Sequence, residues 1–192
     1  MNNNMKKTLL LIAVALLGAI AVQAQEKKYF GAEKAYVKTI TESDGQVTSE
    51  QEMWFVDYGR KMKSIITLHW EGMGDYTTVS FAEGDTVYTL GDDGKVIKES
   101  EREGLDFYNI SEENIKKYKL KELGTEECFG KECIKYSQEQ KVMLSTAKII
   151  NWIWGGIVIR SEMKRGRTEA VTRVTELKED IDLAADFFDI PK

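Results

Sequence analysis

Residues 61–70 read KMKSIITLHW. Met62, Ser64, Ile66, Leu68 and Trp70 fall on one side of an extended chain, and Lys61, Lys63, Ile65, Thr67 and His69 on the other. Apolar residues at every second position mark a half-buried β-strand, since a helix would space them by three and four. The first set is expected to face a core and the second mostly water. The same rhythm runs outward in both directions. Upstream, residues 29–41 and 49–56 alternate, with Ser43-Asp44-Gly45 and Asp57-Tyr58-Gly59 as turns. Downstream, strands are expected at 76–81, 86–90, 95–100, 120–128, 133–138, 145–154, 157–164 and 168–177, punctuated by glycine- and aspartate-rich turns. Residues 109–123 interrupt the series. Ser111-Glu112-Glu113-Asn114 has the form of a helix start, with a capping serine and acids in the first turn, so a short helix is expected over 111–119. The tail, 182–188, is expected to form one or two helical turns that bury Leu183, Phe187 and Ile190. About ten strands in succession predict a mainly β (α+β) protein. Its form would be a strongly curved antiparallel sheet, an open half-barrel, with the segments 111–119 and 182–188 as short covering helices.

Composition narrows the functional classes. The chain has 192 residues, 27 Lys+Arg against 32 Asp+Glu, a hydrophobic fraction of 42% and a charged fraction of 31%. These are globular proportions. The net charge of −5 argues against general nucleic-acid binding, which requires a basic stripe. Residues 1–24 carry Lys6 and Lys7 ahead of an apolar run from Leu9 to Val22, then Val22-Gln23-Ala24. That is the plan of a secretory signal peptide cleaved after Ala24, leaving 25–192 as a single exported, periplasmic domain. An uncleaved anchor would need a longer apolar run, about 20 residues. No Cys stands at the cleavage site to take a lipid, so the mature chain is expected to be free of an acyl anchor.

One His and two Cys leave little for metal or acid–base chemistry. His69 reads as a solvent-facing strand residue. A zinc site would require His69, both Cys and a carboxylate to converge. Asp85, Asp92 and Asp93 do not match a calcium loop. Gly72-Met73-Gly74 and Gly155-Gly156 lack the lysine and the strand-to-helix setting of a phosphate loop. No strand–turn–helix with G-x-S-x-G is present to hold a nucleophile. The expectation is therefore a protein without catalytic residues, metal or cofactor. Cys128 and Cys133 flank Phe129-Gly130-Lys131-Glu132. If those four residues form a hairpin loop, the two Cys oppose each other within disulfide range, and export would favour oxidation to a structural bridge. A redox-active pair is the competing reading, though such pairs sit at helix N-termini.

The apolar residues of the strands carry more information. Trp54, Ile66, Leu68, Trp70, Phe81, Tyr88, Trp152, Trp154, Ile157, Ile159 and Met163 supply more bulk than a single sheet with few helices hides. They form either an ordinary core or the lining of an apolar cavity on the concave side.

Four segments, VDYGRKMKSI (56–65), GTEECFGKECIKY (124–136), INWIWGGIVIRSEM (150–163) and FFDIP (187–191), carry a resemblance. In order and spacing they resemble a family of exported Gram-negative proteins of unknown function that is similar to the periplasmic lipoprotein carrier LolA and its outer-membrane partner. The resemblance covers most of 55–191. It implies an unclosed antiparallel barrel wrapped around helices, an apolar cavity for a lipid or lipoprotein acyl chain, and peripheral contact with the outer membrane. The carrier's ligand-gating arginine has no clear counterpart; Arg60, after a strand turn, is the candidate. The alternatives are a structural or interaction module with a filled core and a small outer-membrane β-barrel. Charges at Lys61, Lys63, Lys95, Lys98, Arg160 and Glu162 weigh against the barrel.

Overall fold

The computed structural model describes residues 26–142 and 145–191. The expected signal peptide, 1–24, lies outside the described residues. Eleven strands follow in order: β1 (Ala35–Ser43), β2 (Gln46–Val56), β3 (Lys61–Trp70), β4 (Gly74–Glu83), β5 (Thr86–Leu90), β6 (Val96–Glu101), β7 (Lys121–Cys128), β8 (Lys131–Val142), β9 (Ser145–Trp154), β10 (Ile157–Arg165) and β11 (Thr168–Glu179). Among the described residues one α-helix, α1 (Glu112–Tyr118), stands between β6 and β7, and a short 3-10 turn, Asp57–Gly59, joins β2 to β3.

All eleven strands belong to one sheet, in the order β6-β5-β4-β3-β2-β1-β11-β10-β9-β8-β7. Two meanders, β1–β6 and β7–β11, are each built from hairpins. The first strand of one and the last of the other pair antiparallel, from Ala35↔Glu179 to Ser43↔Ala170, with a bulge at Lys38/Thr39. Strands β6 and β7 remain as free edges, so the sheet is curved but unclosed. Bulges in β1, β10 and β7 add the local bend that so wide a sheet needs.

Register assigns the faces. Val37 opposes Met53, Met53 opposes Ser64, and Val37 opposes Leu177 across the seam, so these residues share one face, called here the inner face. Ala35, Phe55, Met62 and Ala82 lie on it too. Tyr36, Trp54, Lys63 and Phe81 share the other. Phe55, Val37, Ala35, Ile157, Ile159, Val174, Trp152 and Cys133 form one buried cluster, with Phe30 packed on Phe55 at 4.5 Å between ring centroids.

The two ends of the sheet differ. At one end the segment 26–34 crosses over the strand turns as a strap. The amides of Tyr29 and Phe30 donate to Tyr58 O at 2.9 and 3.1 Å, Gly31 N donates to Gly155 O at 2.8 Å, and Tyr58 N donates to Glu33 O at 2.8 Å. These amides are spent on turn carbonyls rather than on a ladder, which is why β1 begins at Ala35 and not at residue 29 as the alternation predicts. The connection 102–111 begins at the same end and runs from edge β6 toward edge β7, with Phe107 against Tyr136 on the inner face. At the other end no strap crosses the hairpin tips. Trp70 is 51% exposed, Met73 76% and Tyr76 55%.

Three expectations are corrected. Helix α1 forms as its cap predicts, with Ser111 Oγ accepting from Asn114 N at 3.1 Å and Lys119 closing it in a left-handed conformation. It buries none of its residues, however, and meets chiefly β8, at whose side Lys119 pairs with Glu139, so its cover is slight. The tail at 182–188 forms turns, not a helix, and lies on the face opposite the strap: Phe187 packs edge-on against Trp54, 5.6 Å between centroids, and under the Lys63 ammonium. Finally, the β7–β8 hairpin turns on two residues, Phe129 and Gly130, both at positive φ, a type I′ geometry that matches strand twist. Cys128 therefore opposes Lys131, and Cys133 opposes Glu126. The expected direct opposition of the two Cys is absent, and both are free thiols.

Candidate functional site

The strap roofs a recess on the inner face. It is lined by Phe30 from the strap, Val37 and Thr39 from β1, Gln51 and Met53 from β2, Gly156, Ile157 and Val158 at the start of β10, and Thr172 from β11, and it is a half-open space of about 240 Å³. Residues from β2 and β10, three strand steps apart, bound one hollow because the sheet bends toward that face. Its walls are aliphatic or aromatic apart from Thr39, Gln51 and Thr172. Gln51 Nε2 donates to Ser64 Oγ at 3.0 Å, which satisfies that buried hydroxyl.

The close seating of the strap depends on Gly156. Its φ is +85°, and a Cβ there would lie 2.7 Å from Tyr29 O and 2.9 Å from Tyr108 Cβ. Only glycine lets strap and connection meet over this turn.

Next to the hollow, across Phe30 and Gly156, lies a polar mouth. Tyr29 donates from its hydroxyl to Asp85 Oδ1 at 2.8 Å, and Lys27 Nζ pairs with the same oxygen at 2.7 Å. Burial, then the Asp85 hydrogen bond, pushes the Tyr29 phenol up to about 12, so it is neutral at physiological pH. Its hydrogen bonds from Lys27 and Tyr29 hold the Asp85 carboxyl below the usual range. Arg102 lies with its guanidinium 3.8 Å from the Tyr29 ring centroid and donates from Nη2 to Gly59 O at 3.0 Å.

The residues expected to line a cavity gather only in part: Trp152, Ile157 and Ile159 share the buried cluster, with Trp154 packed against it. Ile157 lines the recess, and Ile159 is buried beside it in the core cluster. Ile66, Leu68 and Trp70 share the inner face but lie toward the unstrapped end. Trp54, Phe81 and Tyr88 are on the opposite face, where Trp54 meets the tail, whereas Trp152 is buried in the core cluster with Val37, Phe55, Ile157 and Ile159, Trp154 packs against that cluster, and both of these tryptophans carry cations. Lys131 lies 4.2 Å over Trp154 and Lys135 lies 4.6 Å over Trp152. Met163 borders a wider depression of about 530 Å³ near the unstrapped end, rimmed by Lys148, Glu162, Lys164 and Glu169. The alternation missed Phe30, Val37, Met53 and Val158. Val37 and Met53 were legible as inner-face positions, but only the path of the strap singles them out.

His69 pairs through Nδ1 with Asp75 at 2.8 Å on an exposed strand face. Among the described residues no cluster of His, Cys, Asp and Glu could hold a metal. Arg60 pairs with Asp57 and Glu26, which ties the strap to the β2–β3 turn. The described residues include no helix long and apolar enough to cross a membrane, which leaves the β-barrel question to the strands. The sheet answers it in part, since its edges β6 and β7 do not pair.

No known family profile and no curated protein matches the sequence. Solved structures do. A chain of the Pseudomonas aeruginosa MucA/MucB complex is 12% identical over 80% of this chain and 54% of its own length, with a TM-score of 0.51, so the likeness is to part of a longer protein. The Mycobacterium tuberculosis lipoprotein LppX is 12% identical over 80% of this chain and 91% of that one, at 0.40. A Vibrio parahaemolyticus domain described as an outer-membrane lipoprotein-sorting protein is 9% identical over 87% of this chain and 92% of that one, at 0.35. At 12% identity and a TM-score of 0.51 the likeness to the first of these is one of fold alone, and this chain's fold is an open, curved antiparallel sheet.

Proposed function

We propose that this is an exported, non-enzymatic binding or carrier protein that holds a lipid or lipoprotein acyl chain in the recess beneath Phe30, in the periplasm of a Gram-negative cell. The observation that carries the reading is the recess itself: an apolar hollow on the inner face of an open sheet, roofed by a strap rather than sealed by core side chains. Each buried methylene would contribute about 0.8 kcal/mol, so even part of a chain gives useful affinity. At about 240 Å³ the hollow is below the ~300–1,000 Å³ of usual ligand pockets. A full acyl chain therefore requires Phe30 to swing out, and the strap is the moving part. That same small volume favours the second reading, a structural or interaction module whose interior is full.

Native mass spectrometry of the protein purified from the periplasm of a Gram-negative host separates the two. Carriage predicts copurified lipid mass that is lost in Met53→Trp, which fills the hollow. A bare protein that also fails to take up a fluorescent fatty acid identifies the filled module.

A further inference from the structure

We propose that Arg102 and the mouth around it form a head-group site for a singly charged anionic amphiphile, a carboxylate or a phosphodiester, whose chain passes Phe30 into the recess. The proposal rests on the acyl-chain reading of that recess. A second hollow of about 150 Å³ lies at the mouth, lined by Lys27, Tyr29, Asp85, Arg102 and the start of the connection at 103–107. It shares Phe30 and Gly156 with the apolar recess, so the two spaces are neighbours on either side of one aromatic ring. A polar space beside an apolar one, with the Phe30 ring between them, has the layout of an amphiphile.

Arg102 is the unsatisfied group in that layout. It is half-buried, and its Nε lies shut away from solvent with no hydrogen-bond partner. Nη2 has only the Gly59 carbonyl, and among the described residues no carboxylate pairs with the guanidinium. Its backbone N donates to Asp85 O at 2.7 Å and its planar face rests on Tyr29, so the fork is held in place. A buried donor without an acceptor is costly, and a planar guanidinium meets carboxylate or phosphate oxygens two at a time.

The surrounding carboxylates set the charge of the ligand. Asp85 is engaged by Lys27 and Tyr29, and Asp106 Oδ1 accepts from the amides of Tyr108 and Asn109. Glu103 is exposed at the rim. Lys27 and Arg102 thus face three acids. With two cations against three acids the net field disfavours any anion, a dianion more than a monoanion, so recognition falls to the short-range contact of one guanidinium with one anionic oxygen group.

The test is a binding series at pH 8, below micelle concentrations, with four probes: laurate, dodecanol, dodecyltrimethylammonium and lyso-phosphatidylglycerol. Wild type is expected to bind laurate or the lysolipid at least about tenfold more tightly than dodecanol, the worth of one charged hydrogen-bonded contact. Arg102→Gln should remove that margin and leave dodecanol affinity unchanged, and Arg102→Lys should restore part of it. Circular dichroism checks that each variant folds. The better of laurate and the lysolipid identifies the head as a free acid or a phosphodiester. Equal binding of laurate and dodecanol by wild type overturns the head-group site while the chain site stands. Equal loss of both in Arg102→Gln makes Arg102 a scaffold residue and overturns it too, as does preference for the cationic probe. If no probe binds, the acyl-chain reading falls and this site falls with it.

Discussion

The strapped and unstrapped ends of the sheet are made of the same strands and the same kinds of turn, yet they are built to different tolerances. At the strapped end, backbone meets backbone: Tyr29, Gly31 and Glu33 bond to turns from both meanders, and Phe55 is fully buried. At the other end the hairpin tips stand apart, with Trp70, Met73 and Tyr76 in water. The difference teaches that the alternating strands supply a platform, while the segments crossing one end create the interior. A bent sheet leaves its inner face half-covered, and whichever end receives the crossing segments acquires both the core and the recess.

Four measurements would break or sharpen that comparison. The largest effect is expected from Phe55→Ala, which empties a fully buried site at the strapped end and should cost about 3–5 kcal/mol in chemical denaturation. Trp70→Ala, the larger truncation at the exposed end, should cost under about 1 kcal/mol. Comparable losses would mean that the two ends are equally packed.

A glycine pair repeats the contrast in the backbone. Gly156→Ala adds a Cβ at 2.7 Å from a carbonyl oxygen at positive φ, and should cost about 2–4 kcal/mol. Gly72→Ala, at φ +78° with nothing within 4 Å, should cost only the left-handed penalty of about 1–2 kcal/mol. A melting series of the two variants measures the gap, and its disappearance would remove the strap's close approach.

Alkaline titration probes the mouth. Tyr29 titrates near 12 in the fold against about 10 in the unfolded chain, so its neutral, hydrogen-bonded form stabilises the fold fully below about pH 10. That contribution is lost as pH rises through 12. Tyr36, hydrogen-bonded to Glu52 on the other face, is also raised to about 12 and adds to the same window. Tyr29→Phe should therefore flatten part of the alkaline loss and cost about 0.5–1.5 kcal/mol at pH 7. An unchanged alkaline limb would place Tyr29 in water.

The smallest effect concerns the thiols. Burial raises Cys133 to about 11 and also raises Cys128, so both are protonated at neutral pH. Alkylation of native protein at pH 8 should be slow, Cys128 ahead of the fully buried Cys133, and fast after denaturation. Failure of both to react in denatured, unreduced protein would show a bridge that the hairpin register does not provide.

Much of the architecture was legible. The bounds of β3, β5 and β9 coincide with those read from alternation, and the α1 cap forms on Ser111 as its sequence predicts. These features depend on neighbours in the chain: side chains alternate across a pleat, and a serine hydroxyl reaches an amide three residues on. The site was less legible for a reason visible in Phe30. In sequence it belongs to an alternating run, and its role arises because the run leaves the ladder at residue 35 and crosses to Gly155. The tryptophans divide between the two faces in a way that bulk alone does not show. Trp152 is buried in the core cluster and Trp154 packs on it, with Lys135 and Lys131 over their rings, while Trp54 lies on the other face against Phe187.

The sequence by itself determined that the chain would fold as a wide antiparallel meander, because a two-residue period leaves each strand one apolar face to bury. Only the tertiary structure decided that the seam runs between β1 and β11, that the Cys pair stands out of register, and that the hollow opens under Phe30 beside Arg102. Those outcomes depend on which distant segments meet across the bent sheet. Contacts of that kind are set by the curvature and the closing of long loops, and no local pattern encodes them.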